Sequence, residues 1–329
     1  MSLMPDDEPA LGLPAAFISP DEDFLPALTG EGAPVSPARA YLLSLNSTRS
    51  RQTMASFLNI VAGMLGAASL ESCSWGSLRR HHVMAVTELL RDTGRATATV
   101  NTYLSALKGV AREAWMLRLM DVESFQHIRA VRNLRGSRLP RGRALPAEEI
   151  RKLFAVCDAD KSSLGPRDAA MLAVILGCGL RRSEAVGLDL RDVVTQDHAI
   201  RVLGKGNKER LAYMPAGTWE RLHMWIDQVR GEQPGPLFTR IRRFDTLTND
   251  RLTDQAVYHI LLVRQKLAGI EKCAPHDLRR TFATAMLDNG EDLITVRDAM
   301  GHASVTTTQQ YDRRGETRLR RARDRLDLT

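Results

Sequence analysis

The chain has 329 residues, of which 43% are hydrophobic and 26% charged, enough for two buried cores and ordinary for a globular protein. No run of eighteen apolar residues occurs, and the acidic N-terminus lacks a basic segment followed by an apolar one, so neither a membrane span nor a secretory signal is expected. Cys73, Cys157, Cys178 and Cys273 lie far apart with no Cys-x-x-Cys pair, which suggests free thiols in a reducing cytosol and no metal site.

Residues 1–35 hold seven of the 39 acids, none of the 46 Lys and Arg, six prolines and three glycines. That is the composition of a mobile acidic tail. The rest, residues 36–329, then carries a net +14, and residues 36–145 alone hold 16 basic against 6 acidic side chains. A surplus clustered in one segment points to a polyanionic partner, because each phosphate neutralised releases counterions. The alternative is a basic surface kept for solubility.

Ser36-Pro37 opens a helical stretch, with a hydroxyl at the cap and proline at the first helical position. Met54, Phe57, Leu58, Val61 and Leu65 recur at helical spacing, segments 78–93 and 97–117 read as further helices, and Val100, Tyr103, Leu104, Leu107 and Val110 share one face. The result is a small domain of four or five helices over residues 36–128. Its Arg49, Arg51, Arg79, Arg80, Lys108 and Arg112 are candidates for phosphate contacts. Residues 129–145 follow as a basic linker, with Arg129, Arg132, Arg135, Arg138, Arg141 and Arg143 at about three-residue intervals and no acid among them. Such spacing suits a segment tracking a phosphate backbone.

A second domain spans 146–329. Glu148 and Glu149 favour a first helical turn, and a helix over about 166–178, nearly all apolar from Ala169 to Leu176, reads as buried. Segments 199–204 and 209–214 read as strands around Gly204-Lys205-Gly206-Asn207, a hairpin turn by composition. Helices then fit 217–230, 253–268, 276–288, 291–300, 305–311 and 315–326. The fold class is mainly α, a helical domain followed by a mostly helical domain with a small antiparallel sheet or β-hairpin.

Attack by a tyrosine on a phosphodiester needs help, because a phenol ionises near pH ~10. Planar, permanently charged arginines suit the non-bridging oxygens, and a lysine or histidine can protonate the leaving oxygen. No metal or other cofactor is required where arginines supply the charge. Arg181 follows the buried helix at a turn, Lys205 sits on the hairpin tip, His276 and Arg279 share a helix face, His302 follows Gly301, and Tyr311 comes nine residues later. Taken singly each has a plain reading. Arg181 reads as an ion-pair partner of Glu184, Gly-Lys-Gly as a turn, the histidines as helix-end residues and Tyr311 as packing. Their order together argues for a site.

Gly179-Leu180-Arg181-Arg182-Ser183-Glu184, Gly204 to Arg210, Pro275-His276-Asp277-Leu278-Arg279, and Met300-Gly301-His302 through Tyr311-Asp312 together resemble the tyrosine recombinase (phage integrase) family. The resemblance covers the second domain, and the first resembles that family's core DNA-binding domain. It implies a site-specific DNA recombinase working through a 3′-phosphotyrosine intermediate and a Holliday junction. Tyr311 would be the nucleophile, Arg181 and Arg279 the phosphate ligands, and Lys205 the general acid. His276 and His302 would bond the phosphate or accept protons, with Glu184 holding the arginine and histidine.

The implied partners are double-stranded DNA carrying a specific site and three further copies of the chain, in a homotetramer on two sites. A second recombinase or accessory DNA-binding protein is compatible with this. No membrane partner is expected, and the location implied is the cytoplasm, at the nucleoid. The short acidic N-terminus departs from phage enzymes with a basic arm-binding domain and is nearer to Xer-like or mobile-element recombinases. Helix 315–326 is open to two readings, packing on its own domain or docking on a neighbour. The rivals for function are relaxation of DNA by a type IB topoisomerase and a catalytically idle DNA-binding regulator.

Overall fold

The computed structural model describes residues 36–136, 142–204, 208–302, 304–309 and 323. The tail 1–35, Arg138, Arg141, Lys205, Tyr311 and the expected helix 315–326 apart from Arg323 lie outside these described residues. The chain divides into two compact units, one ending at Arg138 and one starting at Leu139. Among the described residues, no helix is long and apolar enough to cross a membrane.

The first unit contains α1 (Pro37–Leu43), α2 (Thr48–Met64), α3 (Arg80–Asp92), α4 (Thr97–Met116) and α5 (Val122–Arg129). Helix α4 is its axis: Val100, Tyr103, Leu104, Leu107, Val110 and Ala114 are buried, and the other four helices pack around it. Burying one such aliphatic side chain contributes about 1.5–3 kcal/mol, which is why packing and not propensity holds these helices. Phe57 stacks on Tyr103 with ring centroids 4.1 Å apart. Gly109 is small because the Tyr41 ring occupies the place of a Cβ. At the start of α1 the Ser36 hydroxyl makes no capping bond, so Pro37 alone sets the helix entry; at α2 the Ser47 side chain does accept from the Ser50 amide.

The second unit contains α6 (Ala147–Ala159), α7 (Leu164–Gly177), α8 (Arg182–Gly187), α9 (Ala216–Trp225), α10 (Asp254–Leu267), α11 (Pro275–Asp288), α12 (Leu293–Met300) and α13 (Val305–Gln309). Its strands are β1 (Val193–Val194), β2 (Ala199–Leu203), β3 (Glu209–Tyr213), β4 (Thr239–Arg242) and β5 (Thr246–Arg251), forming antiparallel sheets β1-β2-β3 and β4-β5. Helix α7 is buried on nearly every side from Gly165 to Ile175, as its unbroken apolar run requires, and it packs against α6, α9 and α11.

Two features differ from the sequence-based expectation. The segment expected as one helix over 217–230 ends as an α-helix at Trp225 and continues as a wider π turn over Ile226–Arg230. Strands β1, β4 and β5 were not expected. The first is two residues long, and β5 is exposed at nearly every position, so neither carries an apolar alternation.

Candidate active site

Helix α7 stops because Gly179 takes a left-handed conformation at φ 59°, and a side chain there would also strike the Phe282 ring. The turn delivers Arg181 to the N-cap of α8. Glu184, one turn on, accepts from the Arg181 amide at 2.9 Å and from Arg181 Nη1 at 2.6 Å. Arg181 keeps 38% of its side chain exposed and points Nη2 towards the Gly301 carbonyl at 3.5 Å. The ion pair and the site role are therefore compatible: the pair aims a guanidinium that still faces solvent.

Helix α11 begins at Pro275, with the Ala274 amide donating to Asp277 Oδ2 at 2.9 Å. Asp277 Oδ1 accepts from the Arg143 amide at 3.1 Å, and Thr281 Oγ1 accepts from the Leu145 amide at 2.8 Å. Residues 142–145 are thus tied to the first turns of this helix. Arg279 follows and is 1% exposed. A buried guanidinium is costly unless its donors are used. Here Nη1 donates to the Gly179 carbonyl, Nη2 to the Met300 carbonyl at 2.7 Å, and Glu184 Oε2 lies 3.9 Å away. His276, about one turn earlier, is exposed. Desolvation by the surrounding protein, and then Arg280 and Arg279, still hold its pKa below the ordinary value against the opposing pull of Asp277.

Helix α12 ends at Gly301, left-handed at φ 63°, and the His302 amide turns back to the Arg297 carbonyl at 3.0 Å. His302 is 9% exposed, with Nδ1 2.9 Å from Thr308 Oγ1 on α13. Burial, then Arg279 and Arg181, push its pKa down to about 4, so it is neutral at pH 7. Glu184 feels opposing forces: burial raises its pKa, but hydrogen bonds from Arg210 and Arg181 prevail and leave the carboxyl below its usual range.

Of the sequence-based candidates, the structure brings together Arg181, Glu184, Arg279, His276 and His302. The carboxylate of Glu184 meets three arginines, Arg181, Arg210 and Arg279. Arg210 was missed. A signal was available, since it occupies the inward register of β3 with Ala212 and Met214, where a charged residue is out of place unless paired.

The basic residues separate into two groups. Arg80, Arg129, Arg132 and Arg135 are exposed, and the last three line a cleft with Lys108, whose Nζ donates to the Val131 carbonyl at 2.5 Å. Arg79 donates to the Gly76 and Leu78 carbonyls, each at 2.9 Å. Arg143 is engaged by Glu149 at 2.7 Å and by the Glu271 carbonyl at 2.7 Å. Without DNA its guanidinium is engaged within its own unit.

Residues 143–318 match the model of the phage integrase family. Tyrosine recombinase XerD of Listeria monocytogenes is 28% identical over 301 residues, covering 91% of this chain and 95% of that protein. XerD of Pseudomonas putida is 32% identical over 233 residues, 69% of this chain and 75% of that one. The fold matches a lambda integrase dimer bound to a COC′ core site with a TM-score of 0.62 at 18% identity, over 84% of this chain and 93% of that one. The chain belongs to the phage integrase family, the tyrosine recombinases.

Proposed function

We propose that Tyr311 attacks a scissile phosphate held by Arg181 and Arg279, in an enzyme of site-specific DNA recombination. The bond formed is tyrosine oxygen to phosphorus, with the phenol's proton passing to His276, and the bond broken is phosphorus to the 5′-oxygen, which leaves with a proton from Lys205. Arg181 and Arg279 neutralise the two non-bridging oxygens, His302 and His276 add hydrogen bonds, and Glu184 orients the arginines. In the second step the 5′-hydroxyl of a partner strand attacks the phosphotyrosine, giving its proton back to Lys205, and the tyrosine departs with the proton held by His276. Each step exchanges one phosphodiester for another, so no external energy source is needed.

The observation that carries this reading is the convergence of Arg181, Arg279 and His302 on one carboxylate and one helix end, although Arg181 and Gly301 are 120 positions apart in sequence. The family supports recombination over topoisomerase-type relaxation or idle DNA binding. The wider reading is double-stranded DNA as substrate, a homotetramer on two sites, residues 36–128 as a core DNA-binding domain, residues 129–145 as a basic connector, and a place at the nucleoid. On a nicked DNA substrate that traps the covalent intermediate, the wild-type chain forms an adduct and Tyr311→Phe binds without forming one. Adducts persisting in Tyr311→Phe would exclude this nucleophile.

A further inference from the structure

Arg210 has no role in the chemistry above, yet three elements of the site meet at it. It leaves β3 on the inward side, and its side chain is 13% exposed. Its guanidinium divides its donors. Nη2 and Nη1 reach Glu184 Oε2 and Oε1 at 3.0 and 3.4 Å, while Nε donates to the Ala299 carbonyl at 3.3 Å. Glu184 holds Arg181 through both backbone and side chain. Ala299 lies in the last turn of α12, beside Gly301, whose carbonyl faces Arg181, and next to His302. The base of the hairpin is closed by the Gly204 amide donating to the Lys208 carbonyl at 2.7 Å, two residues before Arg210.

The close fit of Gly301 has a second cause here. A Cβ on it would lie 2.8 Å from Arg210 Nη1, so the guanidinium packs against the helix end as well as bonding it. A planar fork can serve a carboxylate and a carbonyl at once, whereas an ammonium is a single point of charge on a flexible stem.

We infer that Arg210 is a positioning residue: it locks the strand that follows the lysine hairpin to Glu184 and to the end of α12, and thereby sets Arg181 and His302 relative to the phosphate. This rests on Arg181 being a phosphate ligand. Without Arg210, Glu184 has one fewer guanidinium and draws Arg181 towards itself, while the turn before His302 loses a donor. Arg210 is also among the charges that oppose protonation of His302, so its loss lets that imidazole titrate nearer its ordinary value.

The test uses Arg210→Gln and Arg210→Lys in the full-length chain, reading single-turnover adduct formation on the nicked substrate. Arg210→Gln is expected to slow adduct formation at least about tenfold with DNA affinity within about twofold, the pattern of an interaction realised in the transition state. Arg210→Lys, which keeps charge and most of the volume, folds and is also slowed, because it cannot span both acceptors. A methylphosphonate at the scissile position removes the negative charge that the arginines serve. On it, the gap between either variant and wild type closes to within about threefold, as expected for a residue acting through Arg181.

Equal slowing of Arg210→Lys on phosphate and methylphosphonate, or cleavage of phosphate at wild-type speed, overturns the inference. Those outcomes leave the tyrosine chemistry standing. Absence of any adduct with the wild-type chain overturns the chemistry and this inference together.

Discussion

His302 is a histidine that folding keeps neutral. In the unfolded chain it takes up a proton below about pH 6.5, and in the folded chain only near pH 4. Between those values the unfolded state binds more protons, so stability falls as pH falls. Denaturation by urea is expected to show a loss between pH 6.5 and 4 in the wild type that is smaller in His302→Gln. Imidazole resonances assigned to His302 should not shift above pH 5. Gly179 makes a different residue-scale demand. Gly179→Ala forces a side chain into left-handed backbone, costing about 1–3 kcal/mol, and displaces the Phe282 ring as well. The measured drop in unfolding free energy should reach at least that range.

At the scale of elements, the second unit is held by a buried charge network as well as by apolar packing. Asp168 on α7 accepts from Arg167 Nη2 at 2.7 Å and from Arg264 Nε of α10 at 2.8 Å, and Arg264 Nη2 also reaches Asp160 Oδ2 at 2.7 Å. Asp168→Asn takes the carboxylate from the buried Arg167 and leaves Arg264 with Asp160 alone, and a loss of about 3–5 kcal/mol in urea unfolding is expected. The elements legible in the sequence were those with a strong period. The apolar run of α7, the stripe of α4 and the turn at Gly301 could be placed because each has a local cause. The β4-β5 sheet could not, and Arg210 shows in the sequence only as a charge in the inward register of β3, without its partners. The partners of Arg210 lie on α8 and α12, and in the second sheet β5 is exposed almost throughout while β4 is only four residues long, too short for its alternation to stand out. In the same way the sequence located Arg279 but not its near-complete burial, which depends on carbonyls from two distant helix ends.

For the whole molecule, the charge excess makes DNA affinity fall with salt, and the two groups of arginines are expected to behave differently. Arg132 is exposed, so Arg132→Ala should lower the slope of log affinity against log salt by about 0.9 if it neutralises one phosphate. Arg143 is engaged by Glu149 and the Glu271 carbonyl, so Arg143→Ala should lower the thermal midpoint while leaving that slope nearly unchanged. Binding titrations at several salt concentrations, paired with melting curves, separate the two. An equal change of slope in both variants would mean that the ion pair of Arg143 opens on DNA.

The tie between residues 142–145 and α11 also bears on how such proteins can be recombined with one another. Gly142 is left-handed at φ 94° and its α-carbon abuts the Asp277 carboxylate, while the next residues give their amides to Asp277 and Thr281. By contact this short stretch belongs to the helix that bears Arg279. A chimera that grafts a foreign first module onto the second unit should therefore be spliced upstream of Gly142. A splice two or three residues later would exchange the strap on the active-site helix along with the module, and the hybrid would lose cleavage even where its new module bound its own site.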